Sequence, residues 1–344
     1  MVRPGLAVLA VSSCLFAQHN IGTGEEPVAV AVNETTSKAY VVSRYSNSVT
    51  VIDGKTRTAI ATVPAGVEPE GIAINAVTNR VYVASPKDSA VTVIDGVTDK
   101  VVATVRTGSF CQALAVNPKI NKIYVANNFG HSVTVIDGLT HETTTIRVGQ
   151  GPRAIVVNSV TNKIYTANYG SKDASVIDGA TNAVTSVPTG KHPWAIAADA
   201  RANKIYVVNE DSASVSIIDG ATDEAKTVGV GEIPFAVAVN SATNKAYVLT
   251  YAGNTMAVID GASGTVTNTL TLSTHPSAIA VNPTTNQIYI ANQTTSSVLV
   301  LEGKTYGITD GMKAGAVPYA MAVDAVSGRV YVANFSSDHT TVIH

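Results

Sequence analysis

Four side chains in this sequence are of types that acid–base chemistry uses. Glu70 could serve as a base, Arg153 as a cation, and His192 and His275 as groups that titrate near neutrality. If they converged, they would suffice for hydrolase or lyase chemistry of the lactonase sort. They are spread along the chain, so only the fold could bring them together. His192 and His275 with Glu68 or Glu70 could also be read as a transition-metal set, but no close pair such as His-x-x-x-His occurs, and no metal site is expected. The chain lacks Cys-x-x-Cys-His, a Gly-x-x-x-x-Gly-Lys phosphate loop and a Gly-x-Ser-x-Gly elbow, so no cofactor is expected either.

The elements that must position these residues are set by a repeat. Lys122–Gly138, KIYVANNFGHSVTVIDG, recurs every 41 or 42 residues, with its tyrosine at Tyr40, Tyr82, Tyr124, Tyr165, Tyr206, Tyr247, Tyr289 and Tyr331. Each copy parses alike. Ala113–Asn117 alternates and ends at a polar turn, Ile123–Ala126 follows, and Ser132–Ile136 is a third alternating run. A turn at Asp137-Gly138-Leu139-Thr140 leads to a fourth strand rich in Thr and Val. Four short antiparallel strands per unit with no helical pattern predict an all-β chain, a β-propeller of eight four-stranded blades. The last copy stops after its third strand. Asn20–Gly24 aligns with the end of a fourth strand, Thr62–Gly66, so the N-terminal segment is expected to complete the last blade and close the ring.

The repeated polar residues read as structure. Asp53, Asp95, Asp137, Asp178, Asp219 and Asp260, with Glu302 in the seventh copy, are each followed by Gly and then by Thr or Ser three residues on. That is turn chemistry, and one per blade lacks the clustered oxygens of a calcium site. Asn127, Asn168, Asn209, Asn292 and Asn334 read as strand-end caps, and the eight tyrosines as packing between sheets.

The bulk composition agrees with one β-rich domain spanning residues 18–344. Hydrophobic residues make up 45% and charged residues 14%, and the formal net charge is −2. That balance excludes a nucleic-acid footprint, which needs a clustered basic excess. Residues 1–17 break the period: Arg3, an apolar run from Leu6 to Phe16, then Ala17-Gln18. They read as a signal peptide cut after Ala17, too short to span a bilayer. The alternative, a lipobox at Val11–Cys14, would leave a lipid anchor on Cys14. Both readings place the protein outside the cytoplasm, periplasmic, cell-surface or secreted. Cys111 then lacks an intramolecular partner and reads as a small buried residue.

The IYVAN and VTVIDG elements, repeated over essentially the whole mature chain, resemble the YVTN family of β-propeller repeats of exported and surface proteins. The tetrads here read YVVS, YVAS, YVAN, YTAN, YVVN, YVLT, YIAN and YVAN. The resemblance implies an envelope location, and members commonly carry seven blades, which makes seven the alternative count. Similar propellers also serve as accessory subunits of periplasmic redox complexes.

Function must be sought where the copies disagree. Nine of the ten aromatic rings that residues 18–344 carry outside the repeat tyrosines, Tyr306 being the tenth, fall in loops on one face: Tyr45, Phe110, Phe129, Tyr169, Trp194, Phe235, Tyr251, Tyr319 and Phe335. These loops join second to third strands or lead into the next first strand, and their bias to one face suggests recognition. The positions around the start of each first strand vary most. Glu26, Glu68, Phe110, Gly151, His192, Ile233, His275 and Val317 precede it, and Val28, Glu70, Gln112, Arg153, Trp194, Phe235, Ser277 and Tyr319 follow, each succeeded by Ala or Gly. A mixed rim of this kind suits a ligand pocket at the mouth of a channel. The ligand-binding candidates are therefore Tyr45, Gln112, Phe129, Arg153, Tyr169, Trp194, Phe235, Tyr251, Tyr319 and Phe335. The expectation is a monomeric, non-catalytic scaffold binding a small molecule, a glycan or an envelope protein.

Overall fold

The computed structural model describes residues 18–272 and 275–344; the expected signal peptide and Cys14 lie outside the described residues. The alternating runs form eight four-stranded antiparallel sheets, so eight blades is correct and seven is not. Blade 1 comprises β2 (Pro27–Asn33), β3 (Lys38–Ser43), β4 (Ser48–Asp53) and β5 (Thr58–Pro64). The others repeat this order, and one 3-10 turn, Glu210–Ser212, is the only helical segment among the described residues.

The ring closes as the repeat phase requires. β1 (Gln18–Gly22) pairs with β32 (His339–Ile343), Gln18 opposite Ile343 and Gly22 opposite His339, completing blade 8 with β30 (Pro318–Val323) and β31 (Val330–Asn334). Thr341 donates to Asn20 across this seam at 2.9 Å. Ile21 is buried with Ala39, Val41, Ile52, Tyr331 and Val342, so β1 also caps the junction with blade 1.

Between blades, each repeat tyrosine is at most 1% exposed and fills the wedge toward the following blade. Burial pushes the Tyr82, Tyr124, Tyr206, Tyr247 and Tyr331 phenols up to about 12, and Tyr40 and Tyr165 higher still. The Asp-Gly turns behave as turn chemistry predicts: Asp137 Oδ1 accepts the backbone N–H of Leu139 and Thr140 at 2.9 and 3.0 Å. Glu302 does the same work with Lys304 and Thr305.

The asparagines after the second strands brace hairpins, as expected. Asn127 Nδ2 donates to Ser132 and Thr134 hydroxyls at 3.1 and 2.9 Å. A second asparagine series ties neighbouring blades on the opposite side of the ring. Asn33 donates to Asn79, Asn75 to Asn121, Asn117 to Asn162, Asn158 to Asn203 and Asn240 to Asn286, all at 2.7–2.8 Å. The acceptors occupy left-handed backbone, which asparagine tolerates better than most residues.

Candidate functional site

The first strand of every blade faces the ring axis, and its start is built by three local devices. Proline begins it in six blades, Pro69 stands two residues ahead of β6 (Gly71–Asn75) in blade 2, and Cys111 takes the place in β10 (Cys111–Asn117). Cys111 is fully buried, with Sγ near the carbonyls of Ser85 and Ala90, and burial raises its pKa. The residue before is left-handed in every blade, including β-branched Ile233 (φ 52°) and Val317 (φ 54°), a conformation costly for such side chains. Its carbonyl accepts the N–H of the residue just past the second strand: Tyr169 bonds Gly151, Glu210 bonds His192 and Tyr251 bonds Ile233. Two rings of side chains are thereby fixed around the mouth.

The third device is a β-bulge. In β14 (Pro152–Asn158), Pro152 pairs with Asn168 and Ala154 with Ala167, leaving Arg153 without a ladder partner. The same register shift leaves out Val28, Gln112, Trp194, Phe235, Ser277 and Tyr319. Bulges re-aim side chains, and here they turn the most variable position of the repeat toward the axis. In blade 2, Glu70 lies just before the strand, and its N–H bonds the Ala84 carbonyl at 2.9 Å. The small residue that follows is needed because the blades converge: a Cβ on Gly71 would lie 2.5 Å from the Gln112 carbonyl oxygen.

All eight of these side chains line two adjoining cavities. The first, about 520 Å³, takes Val28, Glu70, Gln112, Arg153, Trp194, Phe235 and Tyr319, together with Arg44. The second, about 620 Å³, shares Arg153, Trp194, Phe235 and Tyr319 and adds Ser277, Glu210, Ile233, Tyr251 and Gln293. Trp194, Phe235 and Tyr319, expected in loops, are instead second residues of strands, held there by the bulge.

Arg153 is central to both cavities. Its guanidinium carbon lies 3.3 Å from the centre of the Trp194 ring, and its carbonyl accepts Gln112 Nε2 at 3.1 Å. Burial lowers its pKa, opposed by Glu210, Tyr319, Glu70 and Tyr169, yet no carboxylate among the described residues comes within ion-pair distance of it. Glu70 is engaged with Arg44 at 3.3 Å. Burial and the adjacent Asp211 carboxylate raise the Glu210 pKa, while Arg153 and His192 pull it back.

The remaining candidates lie outside the cavity walls. His192 stacks on Tyr169 (ring centres 4.2 Å apart), and its Nδ1 is 2.6 Å from Asp211 Oδ2, a close contact rather than an aligned hydrogen bond. His275 faces Thr294 at 3.0 Å and the edge of Tyr251. Of the four acid–base candidates, only Glu70 and Arg153 share a cavity. Phe129 stacks on Phe110 at 4.4 Å, Phe335 packs beside Tyr319 at 5.6 Å, and Tyr45 is exposed. Sequence reasoning missed Arg44, Glu210 and Gln293. The available signal was their shared place just past the second-strand tetrad, where the copies also differ.

No family model matches the chain, and no curated protein matches it in sequence. Among solved structures it is similar to a chain of Kuenenia stuttgartiensis hydrazine synthase, at 17% identity and a TM-score of 0.67, over 93% of this chain and 96% of that one. At that identity the likeness is one of fold.

Proposed function

We propose that this protein is an exported, non-catalytic propeller scaffold that binds a small molecule at the mouth of its central channel. One observation carries the reading: the side chain that varies most, one from each blade, lines two joined cavities, turned there in seven of the eight blades by the same β-bulge. A scaffold that keeps its strand cores and turns nearly constant and varies the positions that line a cavity is organised for recognition. Binding is preferred to turnover because His192 and His275 do not line the cavities that hold Glu70 and Arg153. The apolar leader and the YVTN-like repeats support export.

The cavities contain Trp194, the only tryptophan, so its emission is the direct test. A panel of small metabolites and oligosaccharides should contain a ligand that shifts the fluorescence saturably, with the shift weakened by Phe235→Ala and unchanged by Tyr306→Phe on the opposite face. A panel without effect on emission and without effect on melting temperature would remove the reading. A second role, as an accessory subunit of a redox complex, is prompted by the likeness to a hydrazine synthase chain. On that reading exposed Tyr45 and Phe129 would form part of a protein contact, and their alanine variants would lose a partner while keeping the small ligand.

A further inference from the structure

We propose that the ligand of the mouth is a small organic monocarboxylate with an apolar body, its carboxylate held by Arg153. The inference rests on the reading of the mouth as a small-molecule site and adds the chemical class.

Three observations point to it. The first is the state of Arg153. A guanidinium carbon 3.3 Å from the Trp194 centroid can only lie over the face of the indole, because an edge-on approach would drive a nitrogen into the ring. In that pose the N–H donors lie around the periphery, in the fork arrangement that matches a carboxylate in two parallel hydrogen bonds. The group is desolvated enough to lower its pKa, yet no protein carboxylate among the described residues pairs with it. A charge taken partly out of water without a counter-ion is costly, and an anionic ligand would supply the missing partner.

The second observation limits the charge of the ligand. Arg44 is already paired with Glu70, and Glu210 is near enough to Arg153 to perturb it, so the mouth has one unpaired cation and acidic neighbours. A single negative charge matches that balance. A dianion such as hydrogen phosphate would add a second negative charge to cavities that Glu70 and Glu210 already line, and be disfavoured.

The third concerns the body of the ligand. Beside Arg153 the second cavity is walled by Trp194, Ile233, Phe235, Tyr251 and Tyr319, which offer apolar and aromatic surface immediately next to the anion position. A carboxylate attached to a short hydrocarbon or aryl group would place its charge on Arg153 and its body against these rings.

Titration calorimetry with 4-phenylbutyrate, its amide 4-phenylbutyramide and inorganic phosphate tests the inference on the intact chain. The carboxylate should bind wild type and weaken by about tenfold to a hundredfold in Arg153→Gln, the range expected for charge-assisted hydrogen bonds. Arg153→Lys should fall between, since it keeps the charge and loses the fork. The amide should bind wild type and Arg153→Gln alike, phosphate should bind more weakly than the carboxylate, and Tyr306→Phe should match wild type. Equal or better binding of the amide or of phosphate, or retained carboxylate affinity in a folded Arg153→Gln variant, would overturn the carboxylate assignment while leaving the mouth as a ligand site. Absence of binding by both phenylbutyrate and its amide would overturn both.

Discussion

The hydroxyl of Tyr206 lies 2.7 Å from where a Cβ on Gly261 would stand, so the Asp-Gly turn of one blade is the seat for the tyrosine of the blade before it. Tyr331 stands in the same relation to Gly54 across the closing seam, at 2.5 Å. The two most repeated features of the sequence, tyrosine and Asp-Gly, are thus halves of one interblade contact. Gly261→Ala should destabilise the protein by about 1–3 kcal/mol, the usual cost of overpacking, read as a lower denaturant midpoint at unchanged slope. A midpoint equal to wild type would mean the turn yields freely and the contact is not a constraint.

Closure of the ring depends on β1. Deleting Gln18–Gly22 removes the buried Ile21 and bares the hydrogen-bonding edge of β32. The melting temperature should fall by at least about 5 °C, from the lost burial of one large aliphatic side chain and its strand pairing. Light scattering should report association. A truncated chain that melts like the parent and stays monodisperse would refute closure by this strand as a source of stability.

High pH should unfold the protein through its repeat tyrosines. Their folded pKa is raised, so the folded state favours the neutral phenol. This contribution is complete below the ordinary value of 10.0 and is lost as pH rises from there through about 12. Tyrosinate absorbance followed with circular dichroism should show a late group of tyrosines ionising together with loss of the sheet signal. Ionisation of all thirteen before any structural change would contradict the packing.

Acid should act through the turns. Backbone N–H groups lower the pKa of Asp53, Asp95, Asp137 and Asp178, and a bond from Lys204 lowers that of Asp219. A lowered folded pKa means stability present above 3.8 and lost as pH falls through the folded values. These turns are largely solvent-exposed, so each contributes little alone and the loss should be gradual. Asp137→Asn should flatten the slope of melting temperature against pH below 4 by a small, measurable amount; an unchanged slope would assign acid sensitivity elsewhere.

The sequence by itself determined the architecture of this protein. A period with one tyrosine and one Asp-Gly turn per copy specifies blades, because an isolated four-stranded sheet cannot bury its faces and only a ring of neighbours covers them. Counting copies gave eight blades, and the repeat phase put Asn20–Gly24 at the end of the closing strand, which the structure gives as Gln18–Gly22. Variability around the first-strand start also located the mouth. What only the tertiary structure decided is which variable residues meet. The bulge that turns Arg153 and Trp194 inward is a property of backbone hydrogen-bond register, and the sequence carries only its faint mark, a variable residue between proline and alanine. The pairing of Arg44 with Glu70 and the exclusion of His192 and His275 from the cavities depend on how neighbouring blades converge on the axis. That convergence joins residues of neighbouring blades, a separation that local pattern does not encode.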